Sequence, residues 1–459
     1  MAMKIPGAVR HPHAGIIKSA SSVIATCVVV SSILALHAAQ VHAGNPAIPA
    51  FIEIPQNLGT QWGGDMGEAD VQRIGGELGV KWLRIEAGWA TVEPKQGEYN
   101  FAGLEKHVDL LVRHGLKPLI ILDYGNPIYQ KTADPADDAF TGPSTPEARE
   151  GYARFSEAAA KHLAGKFPDI NIVYEIWNEP DYQLFWRPKP DVAAYVELVK
   201  ATASRIRAAA PGAAVIGPAT MSAKTPFITR AIELGILDHL DGFSVHPYRR
   251  TGPNGKGSPE TVIADYQKIR DLMSVWFAAR GQPGKTLPLI ESEWGYSETS
   301  LPDGAGVTPV QQAEYLTRTW LIQSWLDVRI SIWFQWKSGD SPTDVWSHFG
   351  MLRVDGSDRP SLQAAKTLVG TLKGYRFVER VDMKDETTYV LKFASQEKED
   401  AIYAGWMANG EAVVEIPSLP ACLTVSMMGE NGRVDPDKGV LSVKLGSSPI
   451  YLIPIISKD

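Results

Sequence analysis

Two short runs hold the residues best suited to chemistry. In Tyr174-Glu175-Ile176-Trp177-Asn178-Glu179-Pro180, an apolar, strand-like lead-in of Ile172 and Val173 delivers an Asn-Glu pair into a proline stop. Far downstream, Leu287-Pro288-Leu289-Ile290-Glu291-Ser292-Glu293-Trp294-Gly295 repeats the plan, ending a strand-like stretch on a carboxylate followed by an aromatic and a glycine. Two carboxylic acids at strand ends suit glycosidic cleavage, where one group protonates the leaving oxygen and the other attacks the anomeric carbon or activates water. An Asn-Glu-Pro tripeptide alone reads as a solvated turn. The crowding of Trp177, Phe185 and Trp186 in the same loop points beyond a turn, because sugar faces stack on aromatic rings.

Such acids need a frame that brings distant strand ends together. From about Phe51 short apolar runs alternate with amphipathic stretches, the pattern of repeated βα units. The expected strands are 52–54 running on to 58–59, then 82–85, 118–122, 170–176, 214–217, 242–248, the run ending at Glu293, and 330–336. Between them, Val71, Ile74 and Leu78 fall at helical spacing, as do Leu104, Val108 and Leu111, with Gly115 suited to a left-handed cap. Eight strands separated by helices predict a (β/α)8 TIM barrel over 44–372, with catalytic groups at the carboxyl ends of its strands. After about Leu372 the helical period stops. Alternating runs at 389–393, 401–403, 413–416, 423–425 and 441–443, with turns at Asn409-Gly410 and Asn431-Gly432, predict a small C-terminal antiparallel β-sandwich over 373–459. Few clustered aromatics there favour a structural role over separate carbohydrate binding.

Composition narrows the partners. A chain of 459 residues, 44% hydrophobic, buries a large core. Its formal net charge of -7 argues against nucleic acid or another polyanion and suits a neutral substrate. Lys4, Arg10 and Lys18, an apolar run from about Ser21 to Ala39, then Val41-His42-Ala43 before Gly44 follow the order of a secretory signal over 1–43, which implies a secreted or periplasmic protein. An uncleaved membrane anchor is the alternative. Cleavage would leave Cys422 alone, so no intrachain disulfide is expected.

The residues also support a family likeness. Trp177-Asn178-Glu179-Pro180 with Glu293-Trp294-Gly295, His246-Pro247-Tyr248 between them and Arg84 on the second strand resembles a clan A retaining glycoside hydrolase. Within that clan, the stretch to Phe185-Trp186 and the tail Phe349-Gly350-Met351-Leu352 resemble family 39, most closely the secreted bacterial glycosidases associated with biofilm exopolysaccharides. The likeness implies Glu179 as general acid and base, Glu293 as nucleophile, and Asn178 as holder of the 2-hydroxyl of the sugar under attack. It calls for no cofactor and no metal. The expected substrate is a polysaccharide or oligosaccharide, cut internally.

Around that pair, Arg84 and Tyr248 are expected to keep Glu293 charged, and His246 to position substrate or a carboxylate. Arg84, His246, Tyr248, Trp186 and Trp336 are candidate substrate contacts. Trp62, Trp89 and Trp346 also fall near strand-end loops, and Tyr248-Arg249-Arg250 offers a basic loop. Glu291 competes for the nucleophile's role, two residues before Glu293 and so on the same strand face one layer deeper; Glu175 competes more weakly. A β-xylosidase, an iduronidase-like enzyme and a glycan-binding barrel without catalysis remain as other readings.

Overall fold

The computed structural model describes residues 45–132, 138–223, 226–249, 257–298, 306–398 and 400–455. The expected signal over 1–43 and Arg250 lie outside the described residues. Eight parallel strands close into a barrel in chain order: β1 (Leu58–Gln61), β2 (Trp82–Gly88), β3 (Lys117–Asp123), β4 (Val173–Ile176), β5 (Ala214–Thr220), β6 (Gly242–Val245), β7 (Leu289–Trp294) and β8 (Val328–Trp333), with β8 pairing back on β1. Trp82, Leu119, Val173, Ile216, Ile290 and Ile332 form a separate buried cluster that fills the barrel's interior. A second, larger cluster lies between the strands and the surrounding helices.

The helix starts follow local chemistry. Thr145 accepts a hydrogen bond from the Ala148 amide at 3.1 Å to open the Pro146–Lys166 helix, and Asp191 does the same for Ala194 at 3.0 Å before Val192–Ala209. Thr308 and Gln311 form a reciprocal capping box at the head of Pro309–Trp325. Among the described residues no helix is long and apolar enough to cross a membrane.

Three expectations shift. Residues 52–54 are not part of the first strand: Pro55 lacks a ladder donor, and the Ile54 amide bonds instead to the Tyr375 carbonyl at 3.0 Å. Asn431-Gly432 lies not in a turn but at the start of the strand Asn431–Val434. The third concerns β7, whose pairing with β8 slips between Leu289 and Ile290 and again between Glu291 and Trp294. That slip breaks simple alternation and decides where its carboxylates point.

Beyond the barrel the chain forms β9 (Arg376–Arg380), β10 (Thr388–Ala394), β11 (Ala401–Met407), β12 (Ala412–Ile416), β13 (Cys422–Ser426), β14 (Asn431–Val434), β15 (Leu441–Leu445) and β16 (Ile450–Pro454). A six-stranded antiparallel sheet, ordered β14-β13-β16-β11-β10-β9, faces the β12-β15 pair across Val390, Ile416, Cys422, Leu441, Val443 and Leu452. The Glu260 carboxylate ties this sheet to the barrel: Arg318 donates to it twice, at 2.8 and 2.5 Å, and the Trp406 indole donates at 2.9 Å.

Candidate active site

Strand alternation sets the floor of the barrel mouth. Trp82 faces the barrel interior, so Arg84 two residues on faces inward one layer higher. Its guanidinium is saturated: Nε donates to Glu175 Oε2 at 3.0 Å, Nη1 to Gln61 Oε1 at 2.8 Å and Glu293 Oε2 at 2.7 Å, and Nη2 to Asn178 Oδ1 at 3.2 Å, with Glu175 Oε2 2.9 Å from the same Nη2. Those contacts occupy the whole fork of guanidinium donors. Arg84 therefore positions its neighbours and has nothing left for a sugar, which corrects its expected role as a substrate contact. Gln61, which no motif singled out, is part of the same network.

Glu179 arrives by strain rather than alternation. After β4 the backbone takes left-handed φ at Trp177 (63°) and Glu179 (43°), held by the Trp177 amide on the Leu122 carbonyl and the Glu179 amide on the Ala219 carbonyl, each at 3.1 Å. Such values are costly for non-glycine residues, on the order of 1–3 kcal/mol each, and cluster where a side chain must be aimed. The Asn178 and Glu179 side chains end up together at the mouth. With its Oδ1 taken by Arg84, Asn178 keeps its amide N–H groups for a ligand.

Glu293 is placed by the slip in β7. Glu291 accepts from Gln323 on the Pro309–Trp325 helix and so faces outward, while the next two side chains both reach inward: Ser292 to His246, Glu293 to Arg84 and Tyr248. Glu291 is thus not one layer below Glu293, as alternation predicts, but on the other side of the sheet.

An oxygen of Glu179, a nitrogen of His246 and an oxygen of Glu293 all lie within 4.8 Å of one another. These are also donors a divalent cation could use, though a cation there would occupy both carboxylates. The two acids sit in different surroundings. Glu179 Oε1 is 2.9 Å from His246 Nδ1, whose Nε2 is 3.1 Å from the Ser292 hydroxyl. Burial, and then the guanidinium of Arg84, hold the imidazole well below its ordinary range, so it stays neutral. Burial and the charge of Glu293 push the Glu179 carboxyl well above the usual carboxylate range. Burial raises Glu293 as well, but Arg84 and a 2.7 Å hydrogen bond from the Tyr248 hydroxyl pull the other way. Tyr248 is itself held far above the usual phenol range by burial and by Glu293, so it remains a donor.

His246 is fully buried with both ring nitrogens engaged, by Glu179 and Ser292, which leaves neither nitrogen free for a sugar. Trp186 and Trp336 also leave the list of sugar contacts. Trp186 lies edge-on to Trp177 and Tyr195 and against Gly142, where even a Cβ would collide with it. Trp336 donates to Asp70 at 2.8 Å and lies under Arg73. Both are too well packed to offer a ring face. Trp89 is buried likewise. Exposed rings do remain: Trp346, 40% exposed, lies edge-on to Tyr248 at 5.7 Å and stacks on Phe349, and Tyr182, also 40% exposed, packs on Phe185. Half-buried Trp62 packs at a tilt against His107, with ring centroids 4.5 Å apart.

Comparison with known proteins agrees with this geometry. The family model described as "Glycosyl hydrolases family 39" matches residues 73–417. Among solved structures, a family 39 glycoside hydrolase from Bacteroides cellulosilyticus WH2 superposes with a TM-score of 0.72 at 24% identity, over 89% of this chain and 83% of that one. A monomeric beta-xylosidase from Caulobacter crescentus CB15 gives 0.63 at 17%, over 90% and 99%. The family 39 enzyme from Xanthomonas axonopodis pv. citri gives 0.60 at 17%, over 89% and 96%. No curated protein matches the sequence. The chain belongs to glycosyl hydrolase family 39 and is a glycosidase built on a (β/α)8 barrel with a C-terminal antiparallel sheet domain.

Proposed function

We propose that this glycosidase cleaves β-linkages within an exopolysaccharide outside the cytoplasm by double displacement, with Glu293 as nucleophile and Glu179 as general acid and then base. One observation carries the reading: the two acids approach within 4.8 Å, close to the roughly 5–5.5 Å of retaining pairs and short of the gap a water needs in inverting ones. The hydrogen bonds fit the roles. A neutral His246 donates from Nδ1 to Glu179 Oε1, which leaves the other oxygen to carry the proton toward the leaving group. Arg84 and Tyr248 stabilise Glu293 in its charged form, and the free Asn178 amide faces the sugar's 2-hydroxyl as positive charge builds at the anomeric carbon.

Internal cleavage is supported by the exposed rings of Trp346 and Tyr182 beside the acids, since a row of platforms binds several sugars and lets remote binding assist the chemical step. Export is supported by the basic, apolar, then small-residue order before Gly44. Proton NMR of the first product tests the mechanism: the substrate's own anomer appears first, and early inverted product removes Glu293 as nucleophile. A Trp346→Ala variant tests the cleft. Its rate should fall on polymers and hold on an aryl glycoside; equal losses on both would point to a closed pocket.

A further inference from the structure

The wall of the mouth formed by β2 and β3 carries two acids that the mechanism does not use. Arg84 faces inward, so Glu86, two residues on, faces inward one layer nearer the opening. It is exposed, which is unusual for a side chain inside a strand of a buried barrel. It has no protein partner among the described residues. On β3, Leu119 belongs to the interior cluster, so Ile121 and then Asp123 follow on the same face. Asp123 is 1% exposed, and its Oδ2 is buried with no hydrogen-bond partner. It pairs across the ladder with Gly88, so no side chain from β2 covers it, and Glu86 lies diagonally below.

Neither acid has an ion-pair partner of its own among the described residues. Arg84 has spent its donors on Glu175, Gln61, Glu293 and Asn178. Burial and then the charge of Glu86 push the Asp123 carboxyl well above its usual range, and Glu86 also bears on Glu293. Glu86 stands two residues beyond Arg84, which holds Glu293, so the two acids border the mouth at the strand that positions the nucleophile.

We propose that Glu86 and Asp123 form a subsite for the ammonium group of an unacetylated amino sugar in the glycan that this enzyme cleaves. The inference rests on the glycosidase reading and adds the substrate's chemistry to it. A sugar hydroxyl would satisfy one lone pair and leave the charge; an ammonium brings three donors and a positive charge and can bridge two carboxylates. A divalent cation needs more ligands, and among the described residues the only cluster of three or more metal-ligating groups is Glu179, His246 and Glu293. A cationic glycan also suits a chain of net charge -7, where the sequence alone suggested a neutral one.

The test uses the full-length protein and three hexasaccharide probes: β-1,4-linked glucosamine, its N-acetylated form and the matching glucan. Binding is followed by calorimetry, alongside hydrolysis of an aryl β-glycoside. Glucosamine oligomer should bind about tenfold tighter than either control, the scale of one charge-assisted hydrogen bond in a partly solvated site. Glu86→Gln, on an exposed side chain, should remove that advantage and leave binding of the glucan unchanged. Asp123→Asn should do the same if it folds. Equal binding of the three probes, or a Glu86→Gln effect shared by all of them, overturns the subsite. A folded parent protein that hydrolyses no glycoside would sink the glycosidase mechanism instead.

Discussion

The protein contains two arginine–carboxylate networks that differ in how they are closed. Between barrel and C-terminal sheet, Arg318 meets one carboxylate, Glu260, through a bidentate fork and also reaches the Ala408 carbonyl at 3.4 Å, while the Trp406 indole donates to the same Glu260. At the barrel mouth, Arg84 meets Glu175 and Glu293 directly and lies near Asp123 as well, so one cation serves several acids. The first network is complete and joins two layers. The second is short of positive charge, and burial holds Asp123, Glu179 and Glu293 toward their protonated forms. Incomplete neutralisation in a buried site shifts pKa values toward useful ones, and the same shortage costs stability.

The comparison breaks most visibly at Glu293. Its replacement by Ala should lower turnover on the order of 10⁶-fold, the scale of losing a hydrolase nucleophile, with azide restoring activity on an activated glycoside as the product of opposite anomeric configuration. If azide rescue of that kind follows Glu291→Ala instead, the outward position of Glu291 is wrong. Next in size is Glu179→Gln: about 10²–10⁴-fold on substrates with poor leaving groups and far less on activated ones. Equal losses on both classes would deny it the acid's role.

Arg84→Met and Arg318→Met separate the networks. Each strands a buried carboxylate and should destabilise the fold by about 3–5 kcal/mol, read by denaturant unfolding. Only Arg84→Met should also raise the acidic limb of the pH–rate profile, because Glu293 loses the cation that keeps it ionised. A shifted limb in Arg318→Met would show that the two networks are coupled.

A smaller effect concerns stability against pH. Glu179 has a folded-state pKa above its unfolded value, so its contribution is fully present below the ordinary carboxylate range and is lost as pH rises toward the raised value. Glu179→Gln should therefore melt higher than the parent at neutral pH, with the gap closing toward pH ~4 where both states are protonated. A gap that widens on acidification contradicts the raised value. The same variant loses turnover while gaining stability, the signature of strain kept for function. The smallest effect belongs to Glu291→Gln, whose side chain touches Gln323 outside the mouth: activity should stay within about threefold, as for substitutions away from the reacting groups.

Much of the barrel was legible because βα repeats print their period on the sequence. Seven of the eight expected strands coincide with observed ones to within a few residues, and the first moved only because Pro55 could not join the ladder. The aromatic contacts were not legible. Trp186 and Trp336 sit in loops beside the mouth, as expected, yet pack inward; sequence gives a ring's position along the chain and says nothing of which face a loop turns to solvent. Glu86 and Asp123 were within reach, since counting by two from Arg84 and from Leu119 arrives at both, but no motif drew attention to them.

The order of strands, the Asn178-Glu179 and Glu293 strand ends and the change to an alternating pattern after Leu372 were determined by the sequence, because hydrophobic period and turn chemistry are local properties. Only the tertiary structure decided which carboxylate of β7 faces the cleft and which donors Arg84 has left. The first depends on a register slip against β8, and the second on side chains from β1, β4 and β7 that meet only when the barrel closes.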